Sequence, residues 1–106
     1  MNPVDRAALE EAVVEVIKTV YDPEIPVNIW ELGLIYSLEV EPEGNVRIAM
    51  TLTSPACPVA ETLPPEVQGK VAEVPGVRSA VVEVIWDPPW GPEMMSEAAQ
   101  LELGFF

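Results

Sequence analysis

Two runs of strict alternation, joined by four turn residues, do most to fix what this chain can become. Leu34, Tyr36, Leu38 and Val40 alternate with Ser37, Glu39 and Glu41; Val46, Ile48, Met50 and Leu52 alternate with Arg47, Ala49, Thr51 and Thr53. Successive side chains of a strand point to opposite faces, so each run carries one apolar and one polar face. Pro42-Glu43-Gly44-Asn45 supplies the turn between them. The spacing predicts an antiparallel hairpin with its even-numbered residues inward. Thr51 and Thr53 then fall on the opposite face, the one that helices are expected to leave open.

The apolar face of that hairpin needs a cover, and the flanking segments can provide one. Asn2 can cap a helix with Pro3 in its first turn. Leu9, Val13, Val16, Ile17 and Val20 then recur at helical spacing with Ala12, predicting an amphipathic helix over residues 3–20. Pro23 ends it and Pro26 keeps the following chain extended. The loop from Tyr21 to Gly33 is unusually apolar (Ile25, Val27, Ile29, Trp30, Leu32) and must pack on something. A short turn at Asn28 to Leu32 is expected, capped by Asn28 and stopped by Gly33.

Past the hairpin, Val59, Leu63, Val67, Val71 and Val74 form one helical stripe that starts near Pro58 and ends at Pro75-Gly76. Pro64 and Pro65 interrupt it, so a kink or a short break is expected there. Val77 to Trp86 is almost continuously apolar, which fits a strand buried on both faces or one whose outer face meets another subunit. Asp87-Pro88-Pro89-Trp90-Gly91-Pro92 reads as a stiff loop, with Trp90 as a plug in the core. Ser96 can cap a last short helix through Leu103, stopped by Gly104. The Phe105-Phe106 tail is either docked or an interaction tag.

The elements run α-β-β-α-β-α. They predict a two-layer α/β domain spanning residues 1–106, with a three-stranded mixed sheet. A right-handed crossover makes the second and third strands parallel in order 1-2-3; order 2-1-3, all antiparallel, is the alternative.

Chemistry concentrates at Met50 to Pro58, Met-Thr-Leu-Thr-Ser-Pro-Ala-Cys-Pro. There a strand hands over to a helix, and the sole cysteine, Cys57, sits at the junction. Unpartnered N–H groups at a helix start stabilise a thiolate. Thr51, Thr53 and Ser54 place hydroxyls on the approach. Asp22 and Glu24, either side of Pro23, can present two carboxylates in one place. A buried, purely structural cysteine is the competing reading of Cys57, and a turn-capping Asp22 with a solvated Glu24 that of the acidic pair.

Composition removes several function classes. The chain has no histidine, hence no Cys-His or Ser-His pair. One cysteine excludes an intrachain disulfide and any multi-cysteine metal motif within one chain. A net charge of −13 repels phosphate backbones and argues against nucleic acid. Asp5, Glu10, Glu11 and Glu15 leave no signal-peptide pattern near the start, and no stretch reaches membrane-spanning length, so a cytoplasmic location is expected. The proline and valine content points towards a thermophilic source.

Five stretches in order carry a resemblance to a known family. They are Asp-Pro-Glu-Ile-Pro-Val-Asn-Ile at 22–29, Leu-Gly-Leu-Ile-Tyr at 32–36, Thr-Leu-Thr-Ser-Pro-Ala-Cys-Pro at 51–58, Pro-Gly-Val at 75–77, and Pro-Trp at 89–90 followed by Met-Ser-Glu at 95–97. Together they resemble the SufT/PaaD-like family of iron–sulfur assembly proteins, which includes eukaryotic cytosolic cluster-targeting factors. The resemblance implies a fold like the C-terminal domain of NifU. It also implies a non-enzymatic role in carrying, transferring or targeting clusters to client apoproteins, in company with iron–sulfur assembly proteins. It makes Cys57 the functional thiol and matches Asp22 and Glu24 to the family's acidic pair. Thr51, Thr53, Ser54 and Trp90 are expected to form a supporting pocket beside them. NifU-type domains hold a cluster with Cys-x-x-Cys, and this chain has Cys57 alone. One thiolate cannot supply the four ligands a cluster usually takes. A transient cluster or iron would therefore be shared across a homodimer or with a client. The alternative function is an adaptor subunit in which Cys57 is structural.

Overall fold

The computed structural model describes residues 2–22, 25–53 and 59–104. Helix α1 (Pro3–Ile17) leads into strand β1 (Ile35–Val40), strand β2 (Asn45–Met50), helix α2 (Val59–Ala72), strand β3 (Ser79–Val84), a 3-10 turn (Pro92–Met94) and helix α3 (Glu97–Leu103). The sheet order is β1-β2-β3, with β1 antiparallel and β3 parallel to β2. The mixed three-stranded sheet is thus the expected one, and order 2-1-3 is excluded.

Asn2 caps α1 by accepting from the Asp5 N–H at 2.8 Å. The helix ends three residues before its apolar stripe does. Thr19 and Val20 close it with tighter i→i+3 bonds, Thr19 N–H to Val16 O and Val20 N–H to Ile17 O. Leu9, Val13, Ile17 and Val20 enter the core with Val46, Ile48 and Met50 of β2 and Leu63, Val67 and Val71 of α2.

Three local expectations are corrected. Of the kink or short break expected at Pro64 and Pro65, the break is absent, because helix α2 is continuous through both. Each proline lacks the N–H that would bond four residues back, but both fall in the second turn, and the buried Leu63–Val67–Val71 stripe holds the helix to the sheet. The inward pattern of β1 changes at a bulge between Ile35 and Ser37, so Ile35 lies opposite Met50 and Tyr36 becomes the extra residue. Strand β3 is not buried on both faces. It is an edge strand, half-buried at Ala80, Val82 and Val84, while Val81 is 56% exposed. The helices cover one face of the sheet only.

The apolar loop packs as expected. Val27, Ile29, Leu32 and Leu34 are buried, each contributing on the order of 1.5–3 kcal/mol. Asn28 accepts from the Glu31 N–H at 2.9 Å, and Gly33 ends the turn at φ 78°. A side chain at Gly33 would also meet the Met94 carbonyl oxygen at 2.2 Å, because the 92–95 segment crosses directly over it. Ser96 caps α3 by accepting from Ala99 N–H, and Gly104 stops it in the left-handed region. No described helix is long and apolar enough to cross a membrane.

Candidate functional site

The end of β2 delivers the Thr51–Pro58 stretch. Two backbone bonds fix that end on both sides: Thr51 N–H donates to Leu34 O at 2.8 Å, and Ile85 N–H donates to Met50 O at 2.8 Å. Leu52 follows into the core and Thr53 is half-buried. Ser54 and Cys57, with Pro58, lie outside the described residues, as do Glu24 and the Phe105-Phe106 tail. The expectation that Cys57 sits where the strand hands over to the helix falls on those residues.

Thr51 corrects one sequence reading. It is 1% exposed, so the outer face of the hairpin is covered at this point. Its Oγ1 is buried and makes no well-formed hydrogen bond among the described residues, although it interacts with the Tyr36 hydroxyl. An unpaired buried hydroxyl costs about 1–3 kcal/mol. Natural folds retain such groups mainly where they serve a site.

Tyr36 lies close enough to Thr51 for the two hydroxyls to influence each other. The Tyr36 hydroxyl donates to the Pro88 carbonyl oxygen at 2.8 Å, with Met94 Sδ a weaker acceptor at 3.3 Å. Burial raises its pKa above the ordinary 10.0; the Thr51 hydroxyl acts the other way, while Asp87 and Glu93 add to the rise. Tyr36 therefore stays neutral and remains a donor at physiological pH. The periodicity missed this residue. The one available signal was its place in the Leu-Gly-Leu-Ile-Tyr stretch, because a bulge leaves no mark in an alternating run.

Asp22 is buried at 4% exposure. Its Oδ1 accepts from the Ile25 N–H at 3.2 Å, and its own N–H donates to Val27 O at 3.4 Å. It thus caps its own loop, which the Ile29 N–H to Val20 O bond ties back to the end of α1. Trp90 is half-buried against the core and donates its indole N–H to Leu32 O at 2.7 Å, bracing the 28–33 turn. Among the described residues no three carboxylates or thiols gather into a group that could hold a metal ion.

Residues 10–84 match the family described as iron-sulfur cluster assembly protein. The chain is 49% identical over 96 residues to an Fe-S protein maturation auxiliary factor of Porphyromonas gingivalis, covering 91% of each. It is 40% identical over 85 residues to the Fe-S protein maturation auxiliary factor SufT of Staphylococcus aureus, covering 80% of this chain and 97% of that one. Among solved structures, a domain of unknown function from Bacillus anthracis superposes with a TM-score of 0.89 at 36% identity, over 99% of this chain and 100% of the other.

Proposed function

The chain belongs to the iron–sulfur cluster assembly protein family, and from that premise we propose that it helps mature iron–sulfur proteins, handling the cluster through Cys57 without catalysing a reaction. The observation that carries this reading is the near full-length match to maturation auxiliary factors, 91% of both chains at 49% identity. The absence of histidine removes the usual general base and favours a non-enzymatic role.

In this reading Cys57 supplies one thiolate to a cluster that is cargo, not a resident group. Asp22 and Glu24 are hard oxygen donors, which hold iron less firmly than thiolates. Weak and incomplete ligation favours release. The missing ligands come from the client apoprotein more readily than from a second copy. Two copies at −13 repel each other. Pairing through the free edge of β3 is also obstructed, because Gln68 of α2 accepts the Val82 N–H at 3.1 Å.

Anaerobic reconstitution with iron and sulfide tests this. Sulfur-to-iron charge-transfer absorption should be weak for the protein alone, rise when an apoferredoxin is added, and vanish in the Cys57→Ser variant. Equal absorption from wild type and Cys57→Ser would remove Cys57 from the chemistry.

A further inference from the structure

Helix α1 is apolar around more of its circumference than the core uses. Beside the buried Leu9–Val13–Ile17 row runs a second row, Val4, Ala8, Ala12 and Val16, at i+4 spacing. Val4 is 77% exposed, Ala8 and Ala12 are exposed, and Val16 is half-buried. The Val74-Pro75-Gly76 turn rises alongside this row, with Gly76 set against Leu9. Between them lie two adjoining cavities of about 400 and 290 Å³ that share Ala12 and Pro75. The result is a groove with an apolar floor along a helix about 22 Å long.

Its borders are acidic. Asp5 and Glu73 line it, and Glu11 stands on the adjoining row of α1. One cation, Lys70, also lines it, but it is paired with Glu66 of its own helix at 3.6 Å, and Lys18 on the adjoining row is paired with Glu15 at 3.7 Å, so the carboxylates outnumber the cation along the border. Arg6 turns away to the Val40 carbonyl. An apolar floor between carboxylates is complementary to a helix with leucine-sized side chains on one face and lysine or arginine flanking them. A second copy of this chain does not fit. It would bring another −13 and the same acidic borders.

We propose that this groove docks a cationic amphipathic helix of a partner protein. Only the C-terminal end of α2 contributes to it, about 20 Å along that helix from Val59. A segment seated there leaves the Val59 end of α2 uncovered. The proposal concerns the surface beside α1 and the 74–76 turn and stands or falls independently of the thiol chemistry.

The test is a nitrogen-15 NMR titration with an 18-residue synthetic Leu/Lys amphipathic helix, beside a Leu/Glu helix of the same pattern. The Leu/Lys helix should bind saturably, with shifts centred on Ala8, Ala12, Val16 and Glu73 to Gly76. Ala12→Arg, at an exposed position that leaves the amide spectrum folded, should weaken binding at least tenfold, and Glu73→Lys several-fold. The Leu/Glu helix should not bind. Three results would each overturn the proposal: shifts spread over the open sheet face at Glu39 and Glu83, binding unchanged by Ala12→Arg, or equal binding of the two helices. Sedimentation showing a wild-type dimer that Ala12→Arg dissolves would assign the groove to a second copy and overturn it as well.

Discussion

Replacing Thr51 by valine should stabilise the domain and impair its function. The substitution exchanges a hydroxyl for a methyl and keeps the β-branched shape, so rotamer and backbone preferences barely change. In the folded state Thr51 Oγ1 is buried with no well-formed hydrogen bond among the described residues, its interaction with the Tyr36 hydroxyl being the weak exception. The folded protein thus bears a desolvation cost of about 1–3 kcal/mol that the unfolded chain does not. Valine removes that cost and leaves no cavity. Part of the gain is offset by loss of the hydroxyl's influence on Tyr36, whose pKa then rises further. A net gain of about 1–2 kcal/mol is expected. For a chain of this size that raises the melting temperature by roughly 4–8 °C, at about 4 °C per kcal/mol. Thermal and urea melts measure the gain, and the apoferredoxin reconstitution measures function. If the hydroxyl serves the cluster-handling end of the sheet, Thr51→Val should show lower cluster absorption at higher stability. A loss of more than about 1 kcal/mol would refute the reasoning, because it would mean that the hydroxyl is hydrogen-bonded in solution.

Three further outcomes follow from the same geometry. Gly33→Ala combines φ 78° with a Cβ 2.2 Å from the Met94 carbonyl oxygen; it should cost at least about 2 kcal/mol in chemical melts and expose Trp90 to fluorescence quenchers. Gln68→Leu frees the Val82 N–H on the β3 edge; stability should change by less than about 1 kcal/mol, while light scattering should detect self-association at high concentration that wild type lacks. The folded state raises the pKa of Tyr36 above 10.0, so it holds the phenol proton more tightly than the unfolded chain does. That contribution is fully present below pH 10 and is lost as pH rises from there through the folded pKa. Tyr36→Phe should flatten the alkaline fall in stability.

Much of the fold is legible because its determinants are local. The alternation from Val46 to Met50 gives the inward face of β2, and the Asn2, Asn28 and Ser96 caps all form as their sequence positions require. The parallel β2–β3 pairing is the one a right-handed crossover gives, though the sequence left the antiparallel order 2-1-3 open until the structure decided it. What escaped depends on distant chain. The burial of Thr51 belongs to an end of the sheet where Tyr36 is met by Pro88 and Met94, 52 and 58 residues further on. The same sequence pattern serves an open face and a face closed from afar. The bulge at Tyr36 inserts one residue into an otherwise regular run. Pro64 and Pro65 predict a break from local cost, but burial of Leu63, Val67 and Val71 outweighs it. At the site, Asp22 was readable both as a turn cap and as a ligand, and it does cap its loop. Cys57, singled out by its sequence position between β2 and α2, lies outside the described residues.

The most direct measurement is anaerobic cluster transfer to apoferredoxin by wild type and Cys57→Ser, with a thermal melt of each. Cys57→Ser should transfer no cluster while its stability changes by less than about 1 kcal/mol, because a neutral hydroxyl keeps the shape of the side chain but is a poor ligand for iron. Transfer at the wild-type rate, or a loss only in proportion to a large drop in melting temperature, would make Cys57 a packing residue and the protein an adaptor.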